Sequence, residues 1–178
     1  MKTRDNLGEL LEEQGILDLP AVEVGVAEGR FSRQILSWGV PFVYLVDYWN
    51  PSPGGYAELT SWDADTHEGK MQQTIQNLSG YEGQYELLRG WSYEMCDEIE
   101  DGTLGFAFID ASHDYENVLR DLHCYWPKLT ANGMMAGHDF PVPGCEKAVR
   151  EFAKEKDLEI HILPTADIND ASYWLERK

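Results

Sequence analysis

Two apolar rhythms alternate along the chain. Leu7, Leu10 and Leu11 share one helical face and the run closes at Gly15, which predicts a short amphipathic helix within residues 1–18, ended by glycine. Pro20 to Gly25 is a short β-rich run that stops at glycine, and Phe31, Ile35 and Leu36 then recur at helical spacing. The same strand, turn and helix return with the nearly all-apolar run Phe42 to Asp47, as a parallel strand buried on both faces requires. Tyr85 to Leu88 is a shorter strand candidate, followed by Ser92 as an N-cap and a helix carrying Met95, Cys96 and Ile99. Leu104 to Ile109 reads as a buried strand ending at Asp110. Tyr115, Val118, Leu119, Leu122 and Trp126 then form a helical stripe that Pro127 stops. Asn132-Gly133 predicts a turn before the strand Met134 to Gly137. Ala148, Val149 and Phe152 mark a last helix, and Ile160 to Leu163 and Tyr173 to Leu175 two last strands.

Strands alternating with helices imply a doubly wound α/β domain with right-handed crossovers. A length of 178 residues supports one such domain over residues 1–178. One stretch breaks the alternation: Trp49 to Gly69 is rich in Pro, Gly and acids, with Tyr56 and Trp62 interspersed, and is expected to be a lid.

Charge narrows the partners. With 32 acids against 14 Lys and Arg the net charge is −18, a field that repels phosphates and argues against nucleic acid or an anionic membrane. A small neutral or cationic ligand suits it. The opening residues lack an apolar leader core and no stretch is long enough to span a bilayer, so a soluble protein of the reducing cytosol is expected. Cys96, Cys124 and Cys145 follow no CxxC pattern and read as small core residues.

Polar signals gather at the strand ends: Glu23-Val24-Gly25, Asp47, Gly90-Trp91-Ser92, Asp110 and His138-Asp139. In an open α/β sheet these ends face one edge, where ligands bind. A dinucleotide fingerprint would need glycine at 25, 27 and 30, but Ala27 and Arg30 stand at two of those positions, which disfavours a nicotinamide enzyme. The spacing Glu23-x-Gly25-x-x-x-Gly29 instead matches the first motif of class I methyltransferases that use S-adenosylmethionine.

The resemblance is widest in AVEVGVAEGRFSRQIL, YLVDYW, LLRGWSYEM, FIDASHDYENVLRDLHCYWPKLTANGMMAGHDF and CEKAVREF. Together, in order from about Asp5 to the C-terminus, they resemble the small bacterial class I methyltransferases related to macrolide-sugar O-methyltransferases and, more distantly, catechol O-methyltransferase. The resemblance implies a Rossmann-like fold, a single three-layer domain whose mostly parallel seven-stranded sheet has its final strand antiparallel. It packs the glycine loop, with Gly25, Val26 and Gly29, against the amino-acid end of the cofactor, and counts Glu23, Phe31 and Ser32 among the cofactor-binding residues. Asp47 is expected to accept hydrogen bonds from both ribose hydroxyls, with Tyr48 and Trp49 beside the adenine and Gly90, Trp91 and Ser92 on its other side. Asp110 and Ala111 complete that cofactor set.

For the acceptor, Asp110, His138 and Asp139 fall at the ligand positions of the metal-dependent sugar enzymes, and His113 at the general-base position. Asp114 or Asp110 would orient the other nitrogen of His113. The relatives carry an acid where this chain has His138, a poorer ligand for Mg²⁺ that favours Mn²⁺ or no metal. The expected activity is O-methylation of a small hydroxylated acceptor, a sugar or a phenol, with selectivity from the lid and the C-terminal segment near Tyr173. With no added cap domain, a homodimer is one way to complete the pocket. The competing reading is a non-catalytic protein that binds S-adenosylmethionine or its product.

Overall fold

The computed structural model describes residues 3–50, 64–164 and 171–177. The elements are α1 (Leu7–Glu13), β1 (Ala21–Val24), α2 (Arg30–Ser37), β2 (Val43–Asp47), α3 (Ala64–Asn77), β3 (Tyr85–Arg89) and α4 (Ser92–Met95). They continue with β4 (Leu104–Ile109), α5 (Tyr115–Tyr125), β5 (Leu129–Gly137), α6 (Pro143–Lys156), β6 (His161–Pro164) and β7 (Ala171–Glu176). The seven strands form one sheet in the order β3-β2-β1-β4-β5-β7-β6. β1 to β5 are parallel, and β7 runs antiparallel to both β5 and β6. The fold class expected from the resemblance is the one found, final antiparallel strand included.

Alternation along the strands builds the layers. Phe106 and Phe108 of β4 face a core shared with Leu7 and Leu11 of α1, Ile35 of α2 and Leu78 just beyond α3. Ala107 and Ile109 face the opposite core, with Val118 and Leu122 of α5 and Val149 and Phe152 of α6. Because β1, β2 and β4 are central and covered on both sides, near-continuous apolar runs were required, and that made them readable, whereas the edge strand β3 is only partly buried. Asp114 caps α5 by accepting from the Asn117 N–H at 3.1 Å. No helix among the described residues is long and apolar enough to cross a membrane.

Three local expectations are corrected. The lid expected over Trp49 to Gly69 does not extend to Gly69, because α3 begins at Ala64; the rest of that expectation, residues 51–63 with Tyr56 and Trp62, lies outside the described residues. Asn132-Gly133 is no turn between elements but an irregularity inside β5, with Asn132 at φ +66° and a register shift against β4. Ser92 is the first residue of α4, not its cap, and its hydroxyl donates to Asp121 of α5 at 2.5 Å.

Candidate active site

Strand register aligns the site. Val46, Val24, Ile109 and Gly137 occupy one rung of β2, β1, β4 and β5. The next residues, Asp47, Gly25, Asp110 and His138, therefore emerge together at the carboxyl edge. Backbone hydrogen bonds tie this row sideways: Gly90 N–H to Asp47 at 3.1 Å, Gly25 to Val46 at 2.8 Å, Asp110 to Val24 at 2.7 Å and His138 to Ile109 at 3.1 Å. The strand order reverses between β1 and β4, so the row sits at the topological switch point.

The glycine loop is held tightly. Gly25 has φ +93°, and a Cβ there would lie 2.2 Å from the Asp110 carbonyl oxygen, so only glycine allows the loop to approach β4. Asp47 accepts from the N–H groups of Val26 at 2.9 Å, Ala27 at 2.8 Å and Trp49 at 3.0 Å. A carboxylate has about four acceptor positions. Three are engaged in shaping the loop, leaving capacity for about one ribose hydroxyl rather than two. Ala27, Trp49 and Asp139 all have left-handed backbones, with φ of +53°, +41° and +54°, concentrating strain at this rim.

Several expected contact residues support the cleft from behind instead. The Trp49 ring is 1% exposed and donates from Nε1 to the Ala27 carbonyl at 3.0 Å, so it braces the loop and offers no face to an adenine. Phe31 packs on Phe108 with ring centres 4.2 Å apart, the Val26 side chain is buried, and Gly29 seats on Thr74. The buried hydroxyl of Ser32 donates to Glu23, whose carboxyl burial holds well above the usual carboxylate range, the Ser32 bond opposing. Tyr48 and Trp91 stack on each other at 4.1 Å and 24°, forming one platform rather than two walls. Tyr173 is 1% exposed and packs against Gly137, so its side chain lies in the core and does not select an acceptor from the surface.

The sequence reading missed the residues that hold the loop from α3. Thr74 Oγ1 donates to the Ala27 carbonyl at 3.1 Å, Asn77 Nδ2 to the Glu28 carbonyl at 2.8 Å, and Lys70 pairs with the Glu28 carboxylate at 2.8 Å. It also missed Gly144 at the start of α6, where a Cβ would lie 2.2 Å from the His113 carbonyl oxygen. Only the dipeptide Pro143-Gly144 pointed to a special backbone position there.

At the ends of β4 and β5 four groups converge. His113 Nε2 lies 2.9 Å from Asp139 Oδ2, and the same oxygen lies 3.2 Å from His138 Nδ1. Asp110 Oδ1 is 3.8 Å from His138 Nδ1. The hydrogen bond from His113, followed by the one from His138, holds the Asp139 carboxyl well below the usual carboxylate range. An ionised Asp139 only accepts, so His113 donates from Nε2, and in the neutral ring the lone pair lies on Nδ1. Asp139 is thus the acid that orients His113; Asp114 is committed to capping α5. Loss of water pushes Asp110 up to about 7, opposed by the nearby His138, and the Asp139 bond raises the pKa of His138.

Sheet order, glycine loop and strand-end acids together define a class I methyltransferase domain. A family model described as a methyltransferase domain matches residues 22–140, and the chain belongs to that family. Among solved structures it is similar to SMU.1697c of Streptococcus mutans in complex with SAH, with TM-score 0.73 and 15% identity over 100% of this chain and 99% of that one. The O-methyltransferase NovP gives 0.65 and 20% identity over 97% and 80% of the two chains. CalS11, a calicheamicin methyltransferase, gives 0.68 and 17% over 97% and 77%. In sequence, 89 residues are 29% identical to the uncharacterised protein y4gI of Sinorhizobium fredii, taking in 47% of this chain and 10% of that protein.

Proposed function

We propose that the chain transfers the methyl group of S-adenosylmethionine to a hydroxyl of a small acceptor, a sugar or a phenol, with a divalent cation at Asp110, His138 and Asp139 and with His113 as the base. The observation that carries this reading is the convergence of His113 and the Asp110, His138 and Asp139 group beside the glycine loop at one sheet edge. The named activity of NovP favours oxygen as the acceptor atom.

The donor set fits a cation. One ligand atom from each of Asp110, His138 and Asp139 falls within 4.8 Å of the others. A six-coordinate ion about 2.1 Å from its ligands sets neighbouring donors roughly 3 Å apart, close to the separations around His138. Two carboxylates with an imidazole suit Mn²⁺ at least as well as Mg²⁺. His138 Nδ1 must release its proton to ligate, so loading is coupled to pH. The cofactor fits too: Asp47 retains an acceptor position for the ribose, the Tyr48 and Trp91 platform offers an adenine a flat surface, and the buried acid Glu23 lies behind the loop.

S-adenosylmethionine would supply an electrophilic methyl group, and the cation would lower the pKa of an acceptor hydroxyl. The chain supplies alignment and a base. His113 Nδ1 takes the hydroxyl proton while Asp139 stabilises the imidazolium from Nε2. The rigid loop and β4 end, locked by Gly25, fix where the methyl donor sits relative to that base.

Release of S-adenosylhomocysteine with a panel of sugars and catechols in Mn²⁺ tests the reading. Transfer is expected, and His113→Ala should slow it by about 10²–10⁴-fold with cofactor affinity unchanged. Tight cofactor binding with no transfer to any acceptor would instead make the chain a binding protein.

A further inference from the structure

We propose that Arg4 is the cation that holds the carboxylate at the methionyl end of S-adenosylmethionine; this rests on the cofactor reading above. Arg4 lies in a single helical turn, Arg4–Asn6, that is anchored rather than loose. Asn6 Oδ1 accepts from the Thr3 N–H at 2.9 Å, Gln34 of α2 donates to Asp5 at 2.9 Å, and the following residues Leu7 and Leu11 are buried. That anchoring sets the Arg4 guanidinium 5.2 Å from the ring centre of Phe31, the second residue of α2, immediately beyond the glycine loop.

Charge complementarity then assigns its role. The amino-acid end of the cofactor carries an ammonium and a carboxylate beside the sulfonium. Asp47, Asp110 and Asp139 line the cleft and suit the two cationic groups, but their negative charge repels the carboxylate. The other basic side chains near this rim are engaged. Arg89 pairs with Glu68 at 2.9 Å and donates to the Trp49 carbonyl at 2.7 Å, and Arg30 and Lys70 both pair with Glu28. Among the described residues Arg4 makes no ion pair. Its field nonetheless reaches Glu23 and Asp110, favouring their ionised forms, and His138, disfavouring its cation. A guanidinium seated beside the glycine loop, within electrostatic reach of a cleft that otherwise rejects anions, is suited to one carboxylate, which it can take through two parallel N–H bonds.

Calorimetry of wild type and Arg4→Gln with two ligands tests this: S-adenosylmethionine and its decarboxylated analogue, which differ in the carboxylate alone. Arg4→Gln keeps most of the stem and removes the charge, and unfolding temperature checks that the fold is intact. Wild type should prefer the carboxylated ligand. The substitution should weaken that ligand by about 10- to 100-fold and the analogue by less than about 2-fold, erasing the preference. Equal weakening of both ligands, or no change in either, overturns the assignment. So does a change confined to the acceptor KM, which would place the anion on the acceptor. Wild-type protein that binds neither ligand overturns the cofactor reading itself and this inference with it.

Discussion

Asp121 shows how one buried acid ties the site to stability. It is 1% exposed inside α5 and accepts from Ser92 at 2.5 Å, while the Tyr125 hydroxyl donates to the Ser92 carbonyl at 2.8 Å, so the turn after β3 is fastened to α5. Burial pushes the Asp121 carboxyl up to about 7, against the Ser92 bond. An unfolded aspartate titrates near 3.9, so between about pH 4 and 7 the folded chain holds a proton that the unfolded chain has lost, and stability falls as pH rises through this window. Asp121→Asn removes that penalty. Chemical denaturation should show a gain on the order of 2–4 kcal/mol at pH 8 and little change at pH 4; an equal shift at both pH values would contradict the account. At this scale the sequence identified which residues end the strands but not how they pair. Asp114 is the neighbour of His113 in sequence, whereas the hydrogen-bond partner of His113 is Asp139, 26 positions away just beyond the end of the next strand. Trp49 read as a ligand surface because nothing local showed its ring turned inward onto Ala27.

Among the elements, α3 was hidden and β1, β2 and β4 were plain, for one physical reason. A central parallel strand is buried on both faces and must be apolar throughout. The inward positions of α3 are His67, Met71 and Thr74, with Leu78 beyond its end, and two of these four are polar. The periodicity was diluted where the helix exchanges hydrogen bonds with the glycine loop, so its supporting role weakened its own signal. The start of α6 acts through sterics. Gly144 packs against the His113 carbonyl, and any side chain there must displace His113, the proposed base. Gly144→Ala should lower kcat by at least about 10-fold, since displacing a catalytic group by an ångström costs up to about 10²-fold, while calorimetry should find cofactor affinity unchanged. An unchanged kcat would mean that the His113 position is not set by this contact.

Across the whole molecule, alternation along the chain pointed to a doubly wound sheet but could not give the strand order or the direction of β7. Those depend on contacts between distant segments; the resemblance supplied the antiparallel final strand, and the structure the order. The polar row was legible because parallel strands in common register end at one edge, which brings Asp47, Gly25, Asp110 and His138 together from four stretches of sequence. The central claim is that this row is the cofactor site and the group beside it the reaction centre. A crystal structure of the protein soaked with S-adenosylhomocysteine and Mn²⁺ tests it most directly, with anomalous scattering to locate the ion. The account predicts a ribose hydroxyl on Asp47, the amino-acid end above Gly25, and a manganese peak among Asp110, His138 and Asp139. Ligand density away from this rim, with Asp47 and Gly25 untouched, would contradict it.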